Sequence, residues 1–174
     1  MKTKISLFLV LMSIIMTSAF PQEKSKKELK EEQNLEKQKQ VETMVNDTVF
    51  VFVGKTALPT GMSSVNLSSN PNYMKFQPEM IEIEMPFFGK AYSGIGYGGD
   101  TGVKFKGKPE EFTVVKKAKN YQIDAVVKAT ADKFRISLSV GFEGSASLSI
   151  ISNNRSTISY QGEISPAQVI EKSK

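Results

Sequence analysis

A chain of 174 residues without a cysteine or a histidine is long enough for one domain with a real core, yet it is barred from several chemistries at once. Disulfides, thiol nucleophiles, histidine general bases, Ser-His-Asp triads and nearly all zinc or copper sites need side chains it lacks. The net charge of +5, from 23 Lys+Arg against 18 Asp+Glu, is small and scattered, so nucleic acid is not an expected partner. Only carboxylate, Lys, Tyr and Ser chemistry survives, and neither a catalytic centre nor a cofactor is implied.

Residues 1–19 read as a cleavable export signal: Lys2 and Lys4 lead an apolar run over residues 5–16, and Thr17 and Ala19 form a small-residue cleavage site before Phe20. The run is short for a bilayer span and no second one follows, so no stable membrane insertion is expected after cleavage. The expected location is the periplasm or the cell surface. Residues 20–46 then form a charged leader. Between Glu23 and Glu42 six Lys balance six Glu with no Gly or Pro, and Glu23/Lys27 and Lys27/Glu31 stand one turn apart, a pattern that favours helix. Leu29, Leu35, Val41, Met44 and Val45 make no continuous stripe before the last two turns, so the first part of this helix is expected to be solvated.

The grammar changes for residues 47–165, which read as an antiparallel β domain, with 166–174 as a C-terminal tail. Residues 48–53 are β-branched and aromatic throughout, as in a buried strand. Turn chemistry at Leu58-Pro59-Thr60-Gly61, Ser69-Asn70-Pro71-Asn72 and Gly107-Lys108-Pro109 separates short extended segments at 63–67, 73–76, 80–85 and 102–106. Alternation is cleanest in the last third. Tyr121, Ile123, Ala125, Val127 and Ala129 share one phase, then Phe134, Ile136, Leu138 and Val140, then Ala146, Leu148 and Ile150, then Ile158, Tyr160 and Ile164. The connections are too short for parallel crossovers, so these runs, with 112–115 before them, form a meander of about five strands. With the earlier segments the fold is mainly β: roughly eight to ten antiparallel strands in a small barrel or barrel-like sandwich, preceded by the charged helix.

Two features stand out as candidate ligand surfaces. The phase opposite the core carries Ser137, Ser139, Ser145, Ser147, Ser149, Thr157 and Ser159. Such a hydroxyl face suits a polar polymer such as a glycan, a plain outer wall, or close approach by another layer. Residues 87–100 combine glycines with rings; here Phe87, Phe88, Lys90, Tyr92, Tyr97 and Asp100 are the candidate ligand-binding residues. The bland alternative is that these rings plug the core. Glu82 and Glu84 share one strand face and Lys104 and Lys106 another, so the four charges can pair if the strands are neighbours.

Taken together, Ser69-Asn70-Pro71-Asn72-Tyr73, Pro86-Phe87-Phe88-Gly89-Lys90-Ala91-Tyr92-Ser93, Lys119-Asn120-Tyr121-Gln122-Ile123, Gly144-Ser145-Ala146-Ser147-Leu148 and the run from Ser152-Asn153-Asn154-Arg155 to Gln161-Gly162 resemble an exported bacterial family of Bacteroides type, the domain of unknown function DUF4251. The resemblance spans residues 24–164. It implies an exported, mostly β protein and carries over no catalytic residue.

The expected function is a non-enzymatic binding module for a small or extended ligand at residues 87–100. The alternative is an assembly partner that offers a sheet edge or the charged helix to another envelope protein. A hollow barrel favours the first and a filled core the second.

Overall fold

The computed structural model describes residues 25–68, 72–92, 102–129 and 132–167. Helix α1 (Lys26–Asp47) starts at a capping box: the Glu28 amide donates to Ser25 Oγ at 3.3 Å, and the Ser25 amide donates to the Glu28 carboxylate at 2.9 Å. Chain contacts divide between Gln33 and Asn34, within the helix, and the part before Asn34 is described by itself. Its described residues are exposed, including Leu29.

From Asn34 onward the last turns of α1 join the core through Val41 and Val45. The helix ends in a Schellman arrangement, with the Thr48 amide donating to Val45 and the Val49 amide to Met44, both at 3.2 Å. Thr48 takes the left-handed position at φ 54°, where Gly is the usual occupant. The chain then enters ten strands: β1 (Phe50–Pro59), β2 (Val65–Asn66), β3 (Tyr73–Gln77), β4 (Met80–Met85), β5 (Val103–Gly107), β6 (Pro109–Lys116), β7 (Asn120–Lys128), β8 (Lys133–Gly141), β9 (Ser145–Ser152) and β10 (Ile158–Pro166).

The strand order is β5-β4-β3-β1-β10-β9-β8-β7-β6, with β2 beside β1 and every pairing antiparallel. The last five strands are the expected meander. Only Lys108 separates β5 from β6, yet they do not form a hairpin; they are the two edges of a sheet that curls into a nearly closed barrel. Phe105 of β5 stacks on Phe134 of β8 with ring centres 4.6 Å apart, and Phe50 stacks on Phe76 at the same separation. The residues assigned to the inward phase of β7 to β10 are buried, except Ala129 just past β7, which is half-buried against the core, so the interior is packed with side chains.

The first strand differs from the sequence expectation. It runs on past Val53 to Pro59 because Gly54 carries a bulge instead of ending the strand: the register with β10 slips between Gly54 and Thr56. Asn72 clamps the bulge, its side-chain amide donating to the carbonyls of Gly54 at 2.7 Å and Leu67 at 2.8 Å. Opposite the bulge only Gly fits at position 162, since a Cβ there would run into the carbonyl of Val53.

Candidate functional site

The segment 86–92 is laced to the turn between β9 and β10. The Tyr160 hydroxyl donates to the Pro86 carbonyl at 2.8 Å, the Ser156 amide to Lys90 at 2.9 Å, and the Tyr92 amide to Asn154 at 2.8 Å. Phe87 is buried, and the Arg155 guanidinium lies 5.1 Å from its ring centre while donating to the Gly102 carbonyl at 3.0 Å. Burial pushes the Tyr160 phenol well above its usual range, and the Arg155 charge opposes that only in part, so the hydroxyl stays a donor. Phe88 is half-buried against the core. Lys90 and Tyr92 are exposed, Tyr92 at 67 %. Tyr97 and Asp100 lie outside the described residues. Gly89 is held to glycine because a Cβ would strike Ser156 Oγ and the Phe87 ring. Of the sequence candidates, then, two rings serve packing and two side chains, Lys90 and Tyr92, stand in solvent.

The hydroxyl phase lies on the outside of the barrel. Strand register assembles it into rows: Asp124, Ser137, Ser149 and Ser159 in one, and Gln122, Ser139, Ser147, Gln161 and Thr56 in the next. At the β7–β8 side it is cross-linked. Gln122 Nε2 donates to Ser137 Oγ at 2.8 Å, Ser137 Oγ to Asp124 at 2.7 Å, and Asn120 Nδ2 to Ser139 Oγ at 2.5 Å. Toward β9 and β10 the face opens into a groove of about 580 Å3 lined by Lys55, Thr56, Asn120, Ser139, Ser145, Ser147 and Gln161, with Gly141, Ala146 and Gly162 also along it. Lys55 is neutralised there by Glu163 at 2.5 Å. The period-two phase supplies the groove with its hydroxyls and amides, and the pairing of β1 with β10 brings Thr56 beside Gln161.

Sequence reasoning found the serines of this face and missed Asn120, Gln161, Thr56 and Lys55. The signal was present for Gln161, which holds the phase of Ser159, but Lys55 enters only through the bulge.

A smaller concavity of about 390 Å3 is lined by Glu110, Lys128, Ala129, Asp132, Lys133, Asn153 and Asn154. Its Asp132 is occupied internally, accepting from the amides of Lys133 at 2.7 Å and Asn153 at 3.2 Å and from Ser152 Oγ at 2.5 Å. Glu110 is paired with Lys133 at 3.0 Å. Among the described residues no cluster of acidic side chains is arranged to hold a metal, and no helix is long and apolar enough to cross a membrane.

A crystal structure of a DUF4251 family protein from Bacteroides eggerthii DSM 20697 is similar to the chain in fold, with a TM-score of 0.58 at 15 % identity, covering 75 % of this chain and 87 % of that one. No curated protein matches. The family pattern of a domain of unknown function, DUF4251, matches residues 32–164. That match begins inside α1 and ends in β10, taking in the helical turns that carry Val41 and Val45 along with the barrel up to residue 164, and the chain therefore belongs to the DUF4251 family.

Proposed function

We propose that the protein is an exported, non-enzymatic binding module of the cell envelope whose ligand is a neutral, hydroxyl-rich molecule of the glycan type. The observation that carries this reading is the outer groove, a shallow trough with small residues along it and Ser, Thr, Asn and Gln around them. Such side chains both donate and accept, as sugar hydroxyls do. Each exchange with water nets only about 1 kcal/mol, so recognition here would rest on many bonds along an extended ligand. Groove-lining Lys55 is already paired with Glu163, and groove-lining Ser145 donates to the Glu143 carboxylate, which together disfavour an anionic ligand. Export is part of the proposal and rests on residues 1–19, and the absence of His and Cys supports a non-catalytic role. Lys90 and Tyr92 are the competing ligand surface. The packed interior favours the second reading, an assembly partner, over a ligand held inside the barrel.

The test takes protein recovered from the cell envelope, whose intact mass should lack residues 1–19, and titrates it with soluble starch and dextran, with polyglutamate as the charged control. Ser147→Lys and Gln161→Lys should each weaken neutral-glycan binding about tenfold or more while leaving the melting temperature unchanged. Tyr92→Ala should bind as the parent does. Loss of binding with Tyr92→Ala alone would transfer the site to residues 87–100, and a parent that ignores every neutral glycan would remove the proposal.

A further inference from the structure

β6 is an edge strand of eight residues, paired with β7 and with no other described strand. None of the described turn, loop or cap backbone bonds reaches residues 109–116. Native edges are usually blunted by bulges, prolines or charges that deter pairing. Here Pro109 and a bulge occupy only the start of the strand, and the stretch Phe112-Thr113-Val114-Val115 runs clear. Val114 pairs across β7 with the fully buried Ile123, so it points to the core side, yet it is 37 % exposed, with no described strand paired on its other side. Val115, on the outer side opposite Gln122, is 51 % exposed.

The charges of this strand are arranged end to end. Glu110 and Glu111 stand at its start after Pro109, Lys116 ends it and Lys117 follows directly. A strand acidic at one end and basic at the other is complementary to its own antiparallel copy. We propose that β6 is the interface of a symmetric dimer in which a second copy of this chain pairs antiparallel along it, joining the two sheets.

The register follows from geometry. Two antiparallel strands related by a two-fold axis place opposite residues on the same face of the sheet. Because faces alternate, the two numbers of an opposed pair must both be odd or both be even. Centring the axis on Val114 satisfies this and sets Glu111 opposite Lys117 of the second copy, Thr113 opposite its Val115, and Val114 opposite its own equivalent. Glu111 and Lys117 are exposed and have no ion pair among the described residues, so the dimer would give both of them partners, twice over. Shifting the axis to Thr113 instead opposes Glu110 to Lys116. These are already bound at home, Glu110 to Lys133 at 3.0 Å and Lys116 to Glu42 at 2.6 Å, and Glu111 would then face Val115. The Val114 register is the one the charges select. This inference does not depend on what the outer groove binds.

The chain has no cysteine, which makes the test clean. Val114→Cys would set two thiols directly opposite each other, about 4.5–5.5 Å apart at Cα, within disulfide range. In the same register Thr113→Cys and Val115→Cys each put their paired thiols beyond it. Mild oxidation of the purified protein should therefore cross-link Val114→Cys into a dimer and leave the other two single variants as monomers. Preferential cross-linking of Thr113→Cys or Val115→Cys, or equal cross-linking of all three, would overturn the proposal. Charge exchange supplies an independent reading in sedimentation equilibrium. Glu111→Lys and Lys117→Glu should each weaken the dimer about tenfold, and the double variant should restore it. A parent protein that is monomeric at about 1 mM, or a double variant no stronger than either single one, would equally overturn it.

Discussion

Tyr73 holds its phenol where two carboxylates converge: the hydroxyl donates to Glu82 at 3.2 Å and lies 3.4 Å from Glu84. Those carboxylates also pair across the β4–β5 ladder, Glu82 with Lys106 at 3.2 Å and Glu84 with Lys104 at 3.1 Å. Burial works to raise the Glu82 carboxyl, but the hydrogen bonds from Lys106 and Tyr73 outweigh it and hold the group below its usual range. The Tyr73 phenol moves the other way, pushed up to about 12 from 10.0 by burial first and then by the Glu82 and Glu84 charges. Between those two values the folded chain keeps a proton that the unfolded chain gives up, so stability should fall as pH rises across that window. Tyr73→Phe should lose less stability over the same interval, by no more than about 1 kcal/mol once solvent screening is allowed for, measured as urea midpoints against pH. An identical slope in parent and variant would show that Tyr73 carries no such linkage. The four-charge ladder was legible in the sequence, since Glu82/Glu84 and Lys104/Lys106 each keep one phase. The part played by Tyr73 was not, because it depends on the register set across the Pro78-Glu79 turn.

Helix α1 is one element with two roles. Its early turns are exposed and its closing turns belong to the core through Val41 and Val45. Glu42 adds a surface tie to β6, where the hydrogen bond from Lys116 draws its carboxyl below the usual range. Removing the chain before Asn34 should therefore shift the melting temperature by no more than about 2 °C, whereas Val45→Ala should lower stability by about 1–3 kcal/mol at the urea midpoint. A large loss on truncation would mean that the exposed turns support the fold. The strands differ in how far they could be read beforehand. β7 to β10 were legible because Leu138, Ile136, Ile123 and Ile150 repeat at an unbroken period of two. β1 was not, since Gly54 resembles a strand end and the bulge it carries arises from pairing with distant Gly162. The candidate ligand surface was legible only in part for the same reason: the serines lie on one regular phase, whereas Lys55 and Thr56 reach the trough only because β1 pairs with distant β10.

At the scale of the whole molecule, the central pairing joins the two ends of the β domain: Phe50 opposes Pro166 and Pro59 opposes Ile158. A sheet whose middle depends on such remote partners must close a long loop before that contact can stabilise it. Refolding from urea should therefore take milliseconds to seconds in stopped-flow fluorescence of the tyrosines, and a microsecond phase with full amplitude would contradict the described strand order. The same closure bears on how the chain is delivered. When it emerges amino-terminus first, from a ribosome or through a membrane pore, β1 has β3 on one side and nothing on the other until the last strand comes through. Until then the row of backbone amides and carbonyls meant for β10 stays open, and the half-made sheet lacks the neighbour that locks its middle. The chain thus has a built-in delay: its neighbouring strands can pair as they emerge, but the two halves of the sheet join only when its own final strand arrives.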